Sequence, residues 1–549
     1  MIAAPPFLIF LVGAPVVLLA RGRTRRVGLV VLAGLALALT LLLPEGTGWT
    51  VRFMEYDLVL LRADRLSLFT GYVFALITFL GVLYAAAFAL PWLHLYALLY
   101  AGTSLGAVFA GDVVTLLIFW EGMAITSTLL VFEHGGAAVG AGYRYLLFHV
   151  LGGALLAGGL ALQVVESGSL LLGPVSGSWP SFLTALGAGV NVGFIPLHTW
   201  LPDTYPRPHI AASVFLSVYT TKAGVYLLAR TSPAVEAIAL MGGAMAVYGV
   251  VFALAQNDMR KLLSYHIVSQ VGYMVAGVGL GTVEGINGGM AHVFNHILYK
   301  ALLFMAVGAV IHATGQHVMD RLGGLGRRMP VTAVTFWIAA LSISGVPGFN
   351  GYVSKGMVIA ASEDLLPLRV LLEIASFGTF LSFLKLGYFV FLREGDTPGR
   401  DPPWPMQSAQ VGTAALCVAI GVYPALLFRI LPAASSYDPW TPTHLFEAGL
   451  VLAGAAATFV TVGRVVLAPH EPRVRDADVA YEAAGRALVR FTQGLARGFA
   501  VVYDGFVAAV SQAGRSARRL QTGDLNWNVA GVALGILLVL LWLLWEGAA

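Results

Sequence analysis

The stretch His292-Val-Phe-Asn-His296-Ile-Leu-Tyr-Lys300-Ala-Leu-Leu-Phe-Met-Ala-Val-Gly-Ala-Val-Ile311 decides what kind of molecule this is. It is apolar over about the 20 residues that a helix needs to cross a bilayer. Yet His292, His296 and Lys300 stand at i, i+4 and i+8, so one helix face carries three ionisable groups. An ionisable group at membrane depth is costly and reads as functional by default.

The rest of the chain has the same character. Of its 549 residues 58% are hydrophobic and 11% charged, where a soluble domain carries roughly 25% charged residues. Mean hydropathy is +0.82. The first apolar run, Ile2 to Ala20, lacks a basic leader and is followed by Arg21–Arg26, so it reads as a first span and not as a signal peptide. A single cysteine, Cys417, leaves no disulfide framework and no cysteine-ligated cluster. No phosphate-binding glycine loop is present, and the net charge of +4 reflects loop bias, not a nucleic-acid surface.

Lysine is used sparingly. There are five, Lys222, Lys261, Lys300, Lys355 and Lys385, against 27 arginines. Only Lys261 falls in an evident polar loop. Arginine stays charged in essentially any setting, whereas a buried lysine can titrate near physiological pH. Surface charge by arginine and interior charge by lysine suits a chain that loads and unloads protons inside the membrane.

Apolar runs give about fifteen or sixteen spans, centred near residues 11, 35, 78, 100, 122, 154, 190, 219, 246, 272, 300, 341, 380, 419, 455 and 537. With that count, Arg21–Arg26, Arg260 with Lys261, Arg321 with Arg327 and Arg328, and Arg393 with Arg400 fall on one side. The positive-inside rule makes that side cytoplasmic and puts the N-terminus outside.

Two stretches break the helical pattern in similar ways. One is Gly193-Phe-Ile-Pro-Leu-His198 leading to Trp200-Leu-Pro-Asp203; the other is Ser344-Gly-Val-Pro-Gly-Phe-Asn-Gly351, just before Lys355. Broken helices at membrane depth are tolerated where the backbone lines a polar path, and paired breaks point to an ion route. The next span of each half repeats Lys-x-Gly-x5-Arg, as Lys222, Gly224, Arg230 and as Lys385, Gly387, Arg393. The coincidence favours an internal duplication. Near the C-terminus, Leu488, Phe491, Leu495, Phe499, Val502, Phe506 and Val510 recur every three or four residues, with Arg486, Arg490 and Arg497 between them. This reads as an amphipathic helix on the cytoplasmic membrane surface or a neighbouring subunit, followed by a last span from Trp527 to Trp545.

Each buried ionisable group has a competing reading. Glu121, mid-span, could be hydrogen-bonded to Thr126 or Ser127. Lys222 and Lys385 could snorkel to an interface. His292 and His296 have a metal-ligand spacing, but no third ligand is placed and Lys300 would repel a metal, so a proton relay is the stronger reading. Structural histidines remain an alternative, and for the isolated His149 and His266 the two readings are balanced.

These residues resemble a known family. Phe119-Trp-Glu-Gly122, Ile195-Pro-Leu-His-Thr-Trp-Leu-Pro-Asp203, Asn257-Asp-Met-Arg-Lys-Leu-Leu-Ser-Tyr265 and His296-Ile-Leu-Tyr-Lys-Ala-Leu-Leu-Phe304 are similar to the antiporter-like subunits of complex I, of Mrp-type cation/proton antiporters and of membrane-bound hydrogenases. Thr220-Thr-Lys-Ala-Gly-Val-Tyr226 and Ser269-Gln-Val-Gly-Tyr273 look most like an Mrp D subunit. The resemblance covers roughly residues 65 to 430. It implies an all-α polytopic membrane protein of about 14 core helices with two inverted five-helix repeats and broken helices. The terminal amphipathic helix and last span are additions to that core.

The expected segments are N-terminal helices over 1–90, repeats over 91–232 and 233–395, core helices over 396–470, the amphipathic helix over 471–522 and the final span over 523–549. Carried over by position, Glu121 matches the family's gating glutamate, Lys222 its mid-repeat lysine, Lys300 a connecting lysine and Lys355 the lysine or glutamate of the second broken helix. Lys385 rests on the repeat alone. One position departs from the pattern. The family's lysine five residues before Pro196 is Asn191 here, although Lys222 keeps its spacing of 31 from that position. Without that cation, Glu121 is expected to be neutral at rest, and His149 is a candidate replacement partner.

The expected function is proton translocation in a multisubunit membrane complex, coupled to Na+ or another monovalent cation and most like an Mrp D subunit. The alternatives are a subunit of a redox-driven complex, a subunit of a bicarbonate uptake system, or a scaffold with a partly disabled first channel. The expected partners are other membrane subunits and the lipid bilayer of the cell membrane. No cofactor or metal is assigned, and any electron transfer would belong to a partner.

Overall fold

Inside a bilayer only hydrogen bonds within a segment satisfy the backbone of a lone span, so apolar runs of this length become helices. The computed structural model describes residues 5–470, 475–519 and 523–546. The beginning of the first expected span and both ends of the expected amphipathic segment lie outside the described residues.

Helices α1 (Pro6–Leu19), α2 (Gly22–Leu41) and α3 (Arg65–Ala85) come first. Between α2 and α3 runs a hairpin of β1 (Gly48–Phe53) and β2 (Tyr56–Arg62), an antiparallel pair that matches Gly48 with Arg62 and Phe53 with Tyr56. This departs from the purely helical N-terminal segment expected. Trp49, Thr50, Val51, Phe53, Tyr56 and Val59 have the aromatic and β-branched side chains that favour strands. The first half of the core follows as α4 (Pro91–Phe109), α5 (Val113–Phe132), α6 (Ala137–Ser167), α7 (Ser178–Val192), α8 (Trp200–Thr204), α9 (Ile210–Leu216) and α10 (Tyr219–Thr231). The second half is α11 (Glu236–Leu254), α12 (Met259–Leu280), α13 (Val283–Thr314), α14 (Leu325–Arg328), α15 (Pro330–Ser344), α16 (Asn350–Ala361) and α17 (Leu366–Gly387). Then come α18 (Trp404–Val422), α19 (Ala425–Phe428), α20 (Pro442–Thr458) and α21 (Arg464–Val466).

Every expected span centre falls in a helix. Among the described residues, 13 helices are long and apolar enough to cross a membrane. The protein is an all-α polytopic membrane protein with one small hairpin. Lys261, expected in a loop, lies in the first turn of α12, whose N-cap Asp258 accepts a hydrogen bond from the Lys261 amide.

The two expected breaks have one geometry. Helix α7 ends at Gly193 (φ 89°) and α15 at Gly345 (φ 78°), both left-handed, where a side chain would be strained. In each, the next amide reaches back to close the turn: Phe194 N to Gly189 O at 2.9 Å, and Val346 N to Leu341 O at 3.0 Å. The glycine of the repeated signature has the same task in both halves. A Cβ on Gly224 would press on Val192 and the Ala188 carbonyl of α7; one on Gly387 would overlap Trp337 of α15. Each signature glycine thus lets its helix pack close against the broken one. The signature arginines tie down loops. Arg230 donates two hydrogen bonds to Asp64 at 2.7 and 2.8 Å, while Arg393 donates to the Asp320 and Leu322 carbonyls. Burial alone would push the Asp64 carboxyl up, but the hydrogen bond and charge of Arg230 outweigh it and hold it at about 2.

The described residues from Arg475 onward, 475–519 and 523–546, form a compact unit of their own. It holds α22 (Asp478–Arg519) and α23 (Leu525–Glu546), with no buried residue on either. At 42 residues α22 is about 63 Å long. It is long and apolar enough for a span, but its apolar residues form one stripe, as expected for a helix that covers a surface.

Candidate functional site

Helix ends leave backbone carbonyls unpaired and partly negative, and three of the buried lysines sit on such carbonyls. The span carrying Lys222 is interrupted between α9 and α10. The freed carbonyl of Ser217 accepts the Lys222 ammonium at 2.6 Å. Lys355 donates to Ile343 O at 3.0 Å, in the last turn of α15, and lies 3.4 Å from Ser376 Oγ and 5.0 Å from the centre of the Tyr273 ring. Lys385 donates to Leu254 O at 2.7 Å and Gln256 O at 2.9 Å, at the end of α11. All three ammonium-bearing residues are at most 2% exposed. Snorkelling is therefore not what the structure displays. Lys222 and Lys385, paired by the repeat signature, differ in partner: one bonds its own span, the other a neighbouring helix.

Helix α13 carries the central row. His292 is engaged by Ser354 Oγ at 3.0 Å, Tyr299 Oη at 3.2 Å and Gln270 Oε1 at 3.3 Å. His296 and Lys300 are fully buried, and among the described residues their polar atoms have no hydrogen-bond partner. The same is true of His266 on α12. Phe383 lies between them, 4.8 Å from the His266 ring and 5.9 Å from Lys300 Nζ. Lys222 and Lys300 both act electrostatically on His296, and Lys222 and Lys355 on His292. The structure thus brings Lys222, His296, His292, Lys300, Lys355 and His266 into one electrostatically connected group. Among the described residues no three or more His, Cys, Asp or Glu are placed to hold a metal ion. Buried polar atoms lacking protein partners are the kind that ordered water satisfies.

Apart from Lys222, the first-half residues Glu121, Asn191 and His149 stand apart from this group. Glu121 is half-buried on α5 and lies over Gly153 of α6, where a Cβ would overlap its carboxylate. Thr126 and Ser127 bond other groups, namely helix carbonyls, Thr103 and Tyr145. Asn191 is fully buried on α7, against Gly152. Its amide atoms have no hydrogen-bond partner among the described residues. Helix α6 packs on both α5 and α7, so the two side chains meet α6 at adjacent glycines. His149 stacks on Tyr145 at 3.9 Å, meets the edge of Trp200 at 4.6 Å and pairs Nδ1 with the Tyr145 carbonyl at 2.8 Å. It lies one turn from Gly153, about 6 Å along the axis.

Sequence reading missed the hydroxyl cluster that joins these helices. Tyr145 Oη donates to Ser127 Oγ at 2.8 Å and lies 3.2 Å from Thr220 Oγ1, which lies 2.5 Å from Tyr100 Oη. Thr220 is two residues from Lys222. Gln270, Tyr299, Ser354 and Ser376 were missed likewise. The available signal was polar residues at helical spacing from a buried lysine or histidine.

Comparison with known proteins now adds to this geometry. Residues 110–382 match the family described as NADH:quinone oxidoreductase/Mrp antiporter, TM. The chain is 30% identical over 434 residues to NADH-quinone oxidoreductase subunit L of Mycobacterium tuberculosis, a match spanning 71% of this chain and 68% of that one. The chain belongs to this family. It is also 28% identical over 465 residues to a putative antiporter subunit of Staphylococcus saprophyticus, covering 74% of this chain but 56% of that longer protein. Several of the curated relatives are longer, and the chain spans about half their length. The fold matches a chain of the archaeal membrane-bound sulfane sulfur reductase complex with a TM-score of 0.72 at 23% identity, over 98% of this chain and 99% of that one. This is an antiporter-like membrane subunit.

Proposed function

We propose that the chain moves protons along the buried row Lys222, Lys300, His296, His292 and Lys355, as one subunit of a multisubunit complex of the cell membrane. The observation that carries this reading is the pair of buried amines, Lys222 and Lys355, held by backbone carbonyls on either side of the imidazoles of α13. A carbonyl tolerates either protonation state of an amine, whereas a carboxylate would lock it as an ion pair. Two charges roughly 8 Å apart at an effective dielectric of about 20 interact by about 2 kcal/mol, more than one pKa unit. Loading one lysine therefore biases the next. Glu121 gates the first half, with His149 and the Tyr145–Thr220 hydroxyls between its helix and Lys222. Lys385, in the last turn of α17 and bonded to the carbonyls at the end of α11, serves the side that carries Arg260, Arg321 and Arg393. That side is cytoplasmic by its arginines, which places the N-terminus outside.

The coupling partner is Na+ or another monovalent cation, and the subunit type is closest to an Mrp D subunit on the Thr220–Tyr226 and Ser269–Tyr273 motifs. The Mycobacterium tuberculosis relative is instead subunit L of an NADH-quinone oxidoreductase, so a redox-driven complex is the second reading. Proton flux into membrane vesicles carrying the assembled complex tests the path. Lys355→Ala is expected to lower the initial rate about tenfold or more, and Lys355→Glu to retain several times more activity than Lys355→Ala. The family accepts either residue there, so the position needs a titratable group and not one sign of charge. Equal loss in both variants would show that Lys355 acts through its positive charge or its packing.

The terminal unit fits a bracing role. The apolar stripe of α22 needs a cover, either a partner subunit or the lipid surface. Truncation after residue 472 is expected to leave the core inserted and to reduce co-purification of partner subunits severalfold. Full recovery of partners would assign the tail another task.

A further inference from the structure

A cavity of about 290 Å³ lies between α16, α17 and α20, and of its lining residues the proton path above uses Lys355 alone. Lys355 and Ser376 are at its inner end; Glu363, Glu373, Glu447 and Arg369 line it farther out. These residues sit near the α16–α17 turn and the start of α20, on the face opposite the loops that carry Arg260, Arg321 and Arg393. Arg369 is the clasp of that mouth. Its Nε donates to Glu373 at 2.9 Å and its Nη2 to Glu447 at 2.9 Å, while Nη1 lies 3.8 Å from Glu363. One guanidinium therefore ties α17 to α20 and to the preceding turn. Glu373 and Ser376 are three residues apart on α17 and so share a face. Ser376 Oγ is 3.4 Å from Lys355 Nζ.

We propose that this cavity is the outer mouth of the proton path, that Glu373 is the residue exchanging protons between Lys355 and the outside, and that Arg369 positions it. The inference rests on the proposed role of Lys355. The Lys355 ammonium gives one proton to Ser376 Oγ, which passes its own hydroxyl proton towards the Glu373 carboxylate. The carboxylic acid then releases that proton to outside water. Lys355 is left as the neutral amine, Ser376 and Glu373 are regenerated, and no electrons move. The carboxylates that share Arg369 let it loosen from Glu373 without leaving its charge unpaired. Glu373 is then free to turn inward.

The test uses the full chain in its complex. Cys417, the single cysteine, is buried, so Ala360→Cys on the cavity wall provides one reactive thiol. A charged, membrane-impermeant methanethiosulfonate should label it in right-side-out vesicles and not in inside-out ones, and labelling should slow proton transport about fivefold. Glu373→Gln should slow transport about tenfold and Glu373→Asp should recover most of that loss. Arg369→Gln should slow the Glu373 chain but add nothing to Glu373→Gln, because a positioning residue acts only through the group it positions. No labelling from outside, labelling without effect on rate, or a wild-type rate in Glu373→Gln overturns the proposal. An equal loss from Arg369→Gln in both backgrounds would overturn the positioning role. If Lys355→Ala also transports at the wild-type rate, the path itself fails; if only the Glu373 variants do, the mouth alone is wrong.

Discussion

Lys222→Ala is expected to lower coupled proton flux about 100-fold while the complex still assembles, because a proton must then cross an apolar gap at an added cost of about 3 kcal/mol. Lys222 is fully buried, and in the proposed path it joins α10 to the histidines of α13. Among the described residues its ammonium donates to Ser217 O, the carbonyl freed where α9 gives way to α10. Losing that bond leaves one carbonyl unpaired, a cost of about 1–3 kcal/mol that a polytopic core absorbs. Assembly is read by co-purification and flux by vesicle acidification at matched protein levels. Wild-type flux in the variant would remove Lys222 from the path.

The parts of this architecture that the sequence made legible are those where one residue type has one physical consequence. Gly193 and Gly345 mark both helix breaks because only glycine adopts φ near +80° without strain. The spans were legible because a lone crossing segment has no other way to satisfy its backbone. The α9–α10 interruption was not. Phe215-Leu-Ser-Val-Tyr219 contains neither glycine nor proline, and the break is stabilised from outside the segment's pattern, by an ammonium five residues on. The hairpin over 48–62 was hidden by its position between apolar runs. Of the site, the ionisable residues were legible as anomalies in an apolar background. Their partners were not: Ile343, Leu254 and Gln256 act through backbone carbonyls, which every residue has, so only the fold singles them out. The Lys222 and Lys385 signatures looked equivalent for the same reason. Their glycines play the same part in the structure; their lysines do not.

Asn191→Lys bears on whether the first half of the chain is a modified pump or a silenced one. Asn191 is fully buried beside Gly152, and Glu121 lies over the adjacent Gly153. An ammonium at position 191 would therefore be buried with α6 between it and the half-buried carboxylate. If it stays unpaired, its burial costs about 3–5 kcal/mol. If it reaches Glu121, the two charges form an ion pair and the carboxylate no longer takes up a proton freely. Either outcome opposes a first half adapted to a neutral amide. Asn191→Lys is accordingly expected to reduce flux about tenfold. Glu121→Gln, which removes the carboxylate lying over Gly153 of α6, should cost more than Asn191→Ala, which removes an amide with no hydrogen-bond partner among the described residues. A comparison of initial rates among the three variants decides the matter. Higher flux from Asn191→Lys would mean that the missing lysine had disabled a once-complete channel, and the first half would then act mainly as scaffold.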